Sequence, residues 1–243
     1  MAITMQDVAR LAGVSTKTVS NVVNGHPHVR PETRRRVEVS IAKLGYEVNI
    51  TARNLRRGRT GLISLALPEL KLPYFAELAD AIIAEAEHRG LRVLVEQTNY
   101  TRERELDILF GSGRAFTDGV IFSPLVLGPE DVHLFRVDFP LVLLGERVFG
   151  FPYDHVTMDN VNAADAATSH LLQRGRRRIA VVGVHPGEVM GTAALREQGY
   201  RRALGRAGIP VDETLLTRCG KWHRDTGAEA AASLLDSGVS FGG

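Results

Sequence analysis

Four side chains near the amino terminus have types and a spacing suited to surface recognition. Thr16, Lys17, Ser20 and Asn21 are hydrogen-bonding groups placed at i, i+1, i+4 and i+5, so a helix through them presents all four on one side. Val19, Val22 and Val23 fall on the opposite side. The charge around them is uneven. Residues 1–60 carry 11 Lys and Arg against 4 Asp and Glu, a net +7, whereas residues 61–243 net −5. A basic head on a mildly acidic body implies that the head meets a polyanion and the body does not. The triplet Arg34, Arg35 and Arg36 faces mostly outward, where it could touch phosphates.

The elements that must position these groups are legible from punctuation. Thr4 is a candidate N-cap, with Asp7 where a capping-box acid reaches back to the backbone. Val8 and Leu11 share a face of this first helix, and Gly13 can end it in the left-handed conformation. Ser15 then caps a second helix. Two helices through a Gly-containing turn make a helix-turn-helix, whose second member is sized for the DNA major groove. An ordinary helical hairpin shares that pattern; the surrounding charge favours the groove. Pro31 opens a third helix that runs to Leu44 and closes at Gly45, with Val37, Ile41 and Leu44 as its apolar stripe. The stretch from Asn49 to Leu55, followed by Arg56-Arg57-Gly58-Arg59-Thr60-Gly61, is basic and too short for a stable helix in water. It suits a segment whose folding is coupled to DNA binding, with a plain charged linker as the alternative.

From Gly61 strands and helices alternate. Strands are expected at Leu62–Leu67, Leu91–Val95, Val120–Phe122, Leu141–Leu144, His155–Met158, Ile179–Val182 and Leu215–Cys219. Helices are expected at Phe75–Arg89, Arg102–Leu109, Glu130–Phe135, Asn160–Arg174, Thr192–Ala207 and Thr226–Leu235. This pattern implies an α/β body of parallel sheets with helices on both faces. Ligands in such sheets bind beyond the carboxyl ends of the strands. Those ends carry neutral polar and aromatic groups, among them Tyr74, Phe75, Asn99, Ser123 and Asp159, which suit a sugar or nucleoside.

Other chemistries find little support. Cys219 is the single cysteine, so an intrachain disulfide and a thiolate metal cluster are excluded. The eight histidines show no metal-binding spacing on a helix, and no metal or cofactor is expected. Gly183 and Gly187 lack dinucleotide-fold spacing and a Walker lysine, and Ser123 is not in a nucleophile elbow. An enzyme is therefore not expected. With no signal segment and no membrane-length apolar run, a soluble cytoplasmic protein acting at the nucleoid is expected.

The run Asp7-Val8-Ala9-x-x-Ala12-Gly13-Val14-Ser15-x-x-Thr18-Val19-Ser20-x-Val22-x-Asn24-Gly25 resembles the head of the lactose-repressor (LacI/GalR) family of bacterial transcription regulators. Leu44-Gly45-Tyr46 and Ala52-Arg53-x-Leu55-Arg56-x-Gly58-x-Thr60 continue the likeness. Pro73-Tyr74-Phe75, Asp118-Gly119-Val120-Ile121 and Arg196-x-x-Gly199-Tyr200 extend it into a body similar to periplasmic binding proteins. The resemblance implies a DNA-binding repressor, a homodimer on a pseudo-palindromic operator, controlled by a sugar or nucleoside-like effector. It assigns Ser15 to capping the recognition helix, and Thr16, Lys17 and Asn21, with Thr18 beside them, to the bases. Thr4, Ser20, Asn24 and the Arg34–Arg36 cluster are assigned to phosphates. Tyr46 and Asn49 lead into a hinge that includes Ala52 and Arg53, with Leu55 as a minor-groove wedge. Tyr74, Phe75, Asp159, Arg196 and Trp222 match positions that line the effector cleft, to which the strand ends add Asn99 and Ser123.

Three departures stand out. Asn21 replaces an arginine common in relatives, and Val48 stands where a proline usually precedes the hinge asparagine. Phe241-Gly242-Gly243 comes where relatives continue, so a partial second subdomain and a half-built cleft are expected, with that subdomain unstable or disordered. The expected division is residues 1–48 as reader, 49–60 as hinge, 61–174 as first subdomain and 175–243 as partial second subdomain. A sugar-binding transport module without a DNA role is the alternative.

Overall fold

The computed structural model describes residues 3–46, 59–150 and 152–242. The hinge residues Asn49, Ala52, Arg53 and Leu55 lie outside the described residues. The chain separates into two compact units, Met1–Thr60 and Gly61–Gly243.

The first unit contains α1 (Met5–Ala12), α2 (Thr16–Val23) and α3 (Pro31–Leu44). Its core is small: Val8, Ala9, Ala12, Val19, Val22, Val37 and Tyr46 are all buried. Leu11 departs from expectation, with 45% of its surface exposed. At about 100° per residue, the buried trio Val8, Ala9 and Ala12 centres the inward face well away from Leu11. The helix turns on two alanines rather than on a Val–Leu stripe.

The second unit begins with a parallel sheet of order β2-β1-β3-β4-β5. Its strands are β1 (Leu62–Leu67), β2 (Arg92–Gln97), β3 (Gly119–Phe122), β4 (Leu141–Leu144) and β5 (Asp154–Val156), and its connections include α4 (Pro73–His88) and α5 (Arg102–Phe110). β1 is central, pairing in register with β2 from Leu62 opposite Arg92 and with β3 from Ile63 opposite Gly119. Its alternate side chains serve two cores. Leu65 and Leu67 pack with Phe75 and Ala79 of α4. Ala66 packs on the other face with Val120, Phe122, Phe135 and Leu143. The short helix expected at Glu130–Phe135 is a 3-10 helix from Pro129 to Phe135.

A second layer follows: α6 (Asn160–Gln173), β6 (Val181–Val184), α7 (Thr192–Arg206), β7 (Leu216–Arg218) and α8 (Arg224–Asp236). β6 and β7 pair in parallel. Ile179, Tyr200 and Leu204 form its core, with Leu171 and Leu172 of α6 packed against them. Helix α6 packs against this layer. An amphipathic stripe announces that a helix is buried without saying against which neighbour.

The α6–α7 contact is close and polar. Asp165 is 4% exposed and accepts hydrogen bonds from Arg202, Arg206 and Ser169. The Arg206 bond is the largest influence on its carboxyl, which is held well below the usual carboxylate range. Gly199 permits this approach: a Cβ there would lie 2.2 Å from the Val161 carbonyl oxygen and 2.9 Å from the Asp165 nitrogen. Backbone cannot yield as a side-chain tip can, so Gly199→Ala is expected to destabilise the body by about 1–3 kcal/mol or more. Chemical denaturation followed by circular dichroism checks this, and an unchanged midpoint would show that the helices can separate freely.

Candidate nucleic-acid interface and ligand cleft

In the head, local hydrogen bonds set which polar groups remain available. Thr4 caps α1: its backbone N–H donates to Asp7 Oδ2 at 3.0 Å and its hydroxyl to the same oxygen at 2.6 Å. These bonds, more than the nearby Arg10 charge, lower the Asp7 pKa. Ser15 caps α2, accepting from the Thr18 N–H at 3.1 Å, with the two hydroxyls 2.9 Å apart. Asn24 donates through Nδ2 to the Ser20 carbonyl at 2.7 Å. Thr4, Ser15, Thr18, Ser20 and Asn24 thus all take part in building the helix ends.

Thr16 and Lys17 differ. Both are exposed, and among the described residues their side chains make no hydrogen bond or ion pair. Asn21 is half-buried on the same side. Arg34 is not a spare cation: its Nη2 donates to the His26 carbonyl at 2.7 Å, tying the loop after α2 to α3. Arg35 and Arg36 are exposed. Tyr46 is 9% exposed and belongs to the head core rather than standing on the surface. The resulting surface is a short helix with unengaged donors at its amino end.

In the body, the expected ligand residues divide. Arg196 and Trp222 come together, with the guanidinium carbon 5.1 Å from the indole centroid. The arginine Nε donates to Asn160 Oδ1 at 2.7 Å, and the indole N–H donates to the Gly183 carbonyl at 3.2 Å. They line a cavity of about 250 Å³ with Val181–Val184, Cys219 and His223. The cavity runs along β6 and not only past its end. Tyr74 is 53% exposed. Partial desolvation raises its pKa, as does the Glu146 carboxylate, and Arg196 opposes them.

The other expected ligand residues do structural work. Phe75 is 7% exposed and sits in the β1–α4 core. Ser123 is 5% exposed, with its N–H donating to Ala66. Asp159 caps α6, accepting from the Asn162 N–H and side-chain amide. Asn99 is exposed with φ +52°.

Charged groups stand at the same strand ends. Glu146 is 4% exposed and accepts from the Thr192 hydroxyl at 2.5 Å and the Met158 N–H at 3.1 Å. Arg147 lies 3.3 Å from Glu188 and donates to the Met190 carbonyl. Glu69 accepts from Tyr100 and from His223. Among the described residues no cluster of His, Cys, Asp or Glu could hold a metal ion, and no helix is long and apolar enough to cross a membrane.

This combination of an exposed reading helix and a sugar-sized α/β cavity defines a class of ligand-responsive DNA-binding regulators, and comparison with known proteins places it there. Residues 4–49 match the model for bacterial regulatory proteins of the LacI family, and residues 60–240 match that for periplasmic binding proteins and the sugar binding domain of the LacI family. The chain belongs to the LacI family of transcriptional regulators. It is 33% identical over 237 residues to catabolite control protein A of Priestia megaterium, covering 97% of this chain and 71% of that relative. The Lac repressor dimer bound to operator and the anti-inducer ONPF superposes with a TM-score of 0.82 at 26% identity, covering 99% of this chain and 72% of that one. A complex of the regulator CelR with cellobiose gives 0.61 at 31% identity, covering 96% and 70%.

One buried carboxylate positions the loop after β3. Glu105 is fully buried and accepts backbone N–H bonds from Leu125, Val126 and Leu127 at 2.7–3.1 Å. Glu105→Ala would strand these donors and is expected to lower stability by about 1–3 kcal/mol for each one left unpaired. Urea titration measures the loss, and a midpoint equal to wild type would assign the loop's shape to its own sequence.

Proposed function

We propose that the protein is a repressor that binds a pseudo-palindromic operator as a homodimer, and that a sugar or nucleoside-like effector in the Arg196–Trp222 cavity changes its affinity for DNA. The observation that carries this reading is the unengaged Thr16–Lys17 pair at the start of α2, beside donors already committed to helix caps. Lys17 donates to guanine O6 and N7, the Thr16 methyl packs on a thymine methyl, and Asn21 reaches a neighbouring base. Arg35 and Arg36 contact phosphates, which fix register without reading sequence. Residues 49–60 act as hinge, with Leu55 as an apolar wedge that trades base stacking for a bent duplex. The protein works in the cytoplasm, on nucleoid DNA.

An aromatic face with an adjacent guanidinium suits a polyhydroxylated ring, which needs stacking area and hydrogen-bond donors. CelR, which carries cellobiose in its complex, supports a saccharide. Such a ligand alters DNA affinity only if it binds one arrangement of the body better than another. A transport module with an incidental basic arm is disfavoured by the complete, capped three-helix head.

Selection of bound duplexes from a random pool, followed by gel-shift titration, tests the reading. Enrichment of a two-fold-related sequence is expected. Lys17→Ala should relax preference at one position of each half-site by about 1–3 kcal/mol; uniform weakening over all sequences would make Lys17 a phosphate contact. Trp222 is the single tryptophan, so its emission reports on the cavity. Cellobiose and a panel of mono- and disaccharides and nucleosides are titrated, and at least one should shift the emission and the operator affinity together. No preference for any duplex over random competitor, with or without these ligands, would end the proposal.

A further inference from the structure

The first and second layers of the body meet through carboxylates, and one of these has an imidazole as its partner. Glu69 stands in the loop after β1, and His223 precedes α8, 154 residues further along the chain. The His223 Nε2 lies 2.6 Å from Glu69 Oε1, and the side chains are only 20% and 14% exposed. The Tyr100 hydroxyl donates to the same Glu69 oxygen. The Lys221 ammonium sits 4.1 Å from the Tyr100 ring centroid. Two residues from each layer thus interlock. A second observation concerns the backbone. Asn99 and Tyr100 have φ of +52° and +58°, a left-handed conformation that non-glycine residues adopt at a cost unless their surroundings hold them there. For Tyr100 the surroundings are Glu69 and Lys221.

We propose that the Glu69–His223 bond is a proton-dependent latch, which holds the two layers together across the cleft while the imidazole is charged and loosens as the imidazole loses its proton. The latch stands independently of the DNA and effector readings. Burial works against ionisation of Glu69, but the hydrogen bonds from Tyr100 and His223, helped by the charges of His223 and Lys221, outweigh it and lower its pKa. Burial and then the bond to Glu69 raise the Tyr100 pKa, so its hydroxyl remains a donor. Histidine is the side chain that changes charge near neutral pH. Arg196 and Cys219 share the cavity wall with His223. His185, with its ring 5.7 Å from the Trp222 indole, pairs with Glu188 at 2.9 Å. With Glu69 ionised, a charged His223 makes an ion pair; a neutral ring keeps only the hydrogen bond. The latch is therefore stronger on the acid side of the imidazole transition and weaker above it.

Hydrogen–deuterium exchange of the full chain at pH 6 and pH 8, corrected for intrinsic chemical exchange, tests this. Protection of α8 and of residues 98–101 should fall on the order of two- to fivefold between the two conditions, the range of a partly exposed ion pair. Glu69→Gln and His223→Gln should each give the high-pH protection at pH 6, and the double variant should be no worse than either single one. His185→Gln should retain the wild-type pH response. Protection that is independent of pH in the wild type, or a pH response that survives in Glu69→Gln or His223→Gln, overturns the proposal. Should either variant fail to fold, the His223 ring is titrated by NMR in the unmodified chain. Its midpoint should coincide with the change in protection, and a mismatch overturns the latch equally.

Discussion

The body depends on one constraint: a central parallel strand must be covered on both faces. Leu65, Ala66 and Leu67 are all fully buried, so β1 gives its side chains alternately to the α4 core and to the Phe122–Phe135 core. Along it Ser64 is the polar side chain, donating to Glu96, and most polar chemistry stands elsewhere. It is displaced to the segment that follows, where Pro68 ends the run and Glu69 and Tyr74 lie beyond. β4 repeats the pattern, with Leu141 and Leu143 buried and Glu146 just past the strand end. The strand ends therefore concentrate the carboxylates and aromatic rings that face the second layer.

The head solves the opposite problem. Three short helices share a core of small side chains, with Tyr46 its only large ring, and each contributes little apolar area. Helix ends matter more in so small a unit, because unsatisfied N–H groups form a larger share of the whole. Thr4, Ser15, Thr18 and Asn24 are engaged at those ends. What remains at the start of α2 is the pair with no structural duty, Thr16 and Lys17. The exposed donors at this helix start are what the caps leave over.

How much of this was legible in the sequence follows the same physics. Strands β1 and β4 and helix α3 fall where expected because Gly and Pro punctuate them. The identity of the 3-10 segment at Pro129–Phe135 was not legible, since six or seven residues suit either helix type. Leu11 was misplaced because one i, i+3 pair does not locate the centre of a buried face. The placement of α6 required knowing its partner. Of the expected ligand residues, Arg196 and Trp222, named from the family pattern, line one cavity, while Phe75 and Ser123 are buried. The Glu69–His223 contact joins residues 154 positions apart, and nothing local in either segment announces the other.

Arg34 shows that a basic residue in a DNA-binding head can also have a structural duty. Its guanidinium fastens the His26 carbonyl and so fixes the path from α2 to α3. A guanidinium pinned at one nitrogen keeps its charge, so Arg34 adds shape to the head without subtracting from its field.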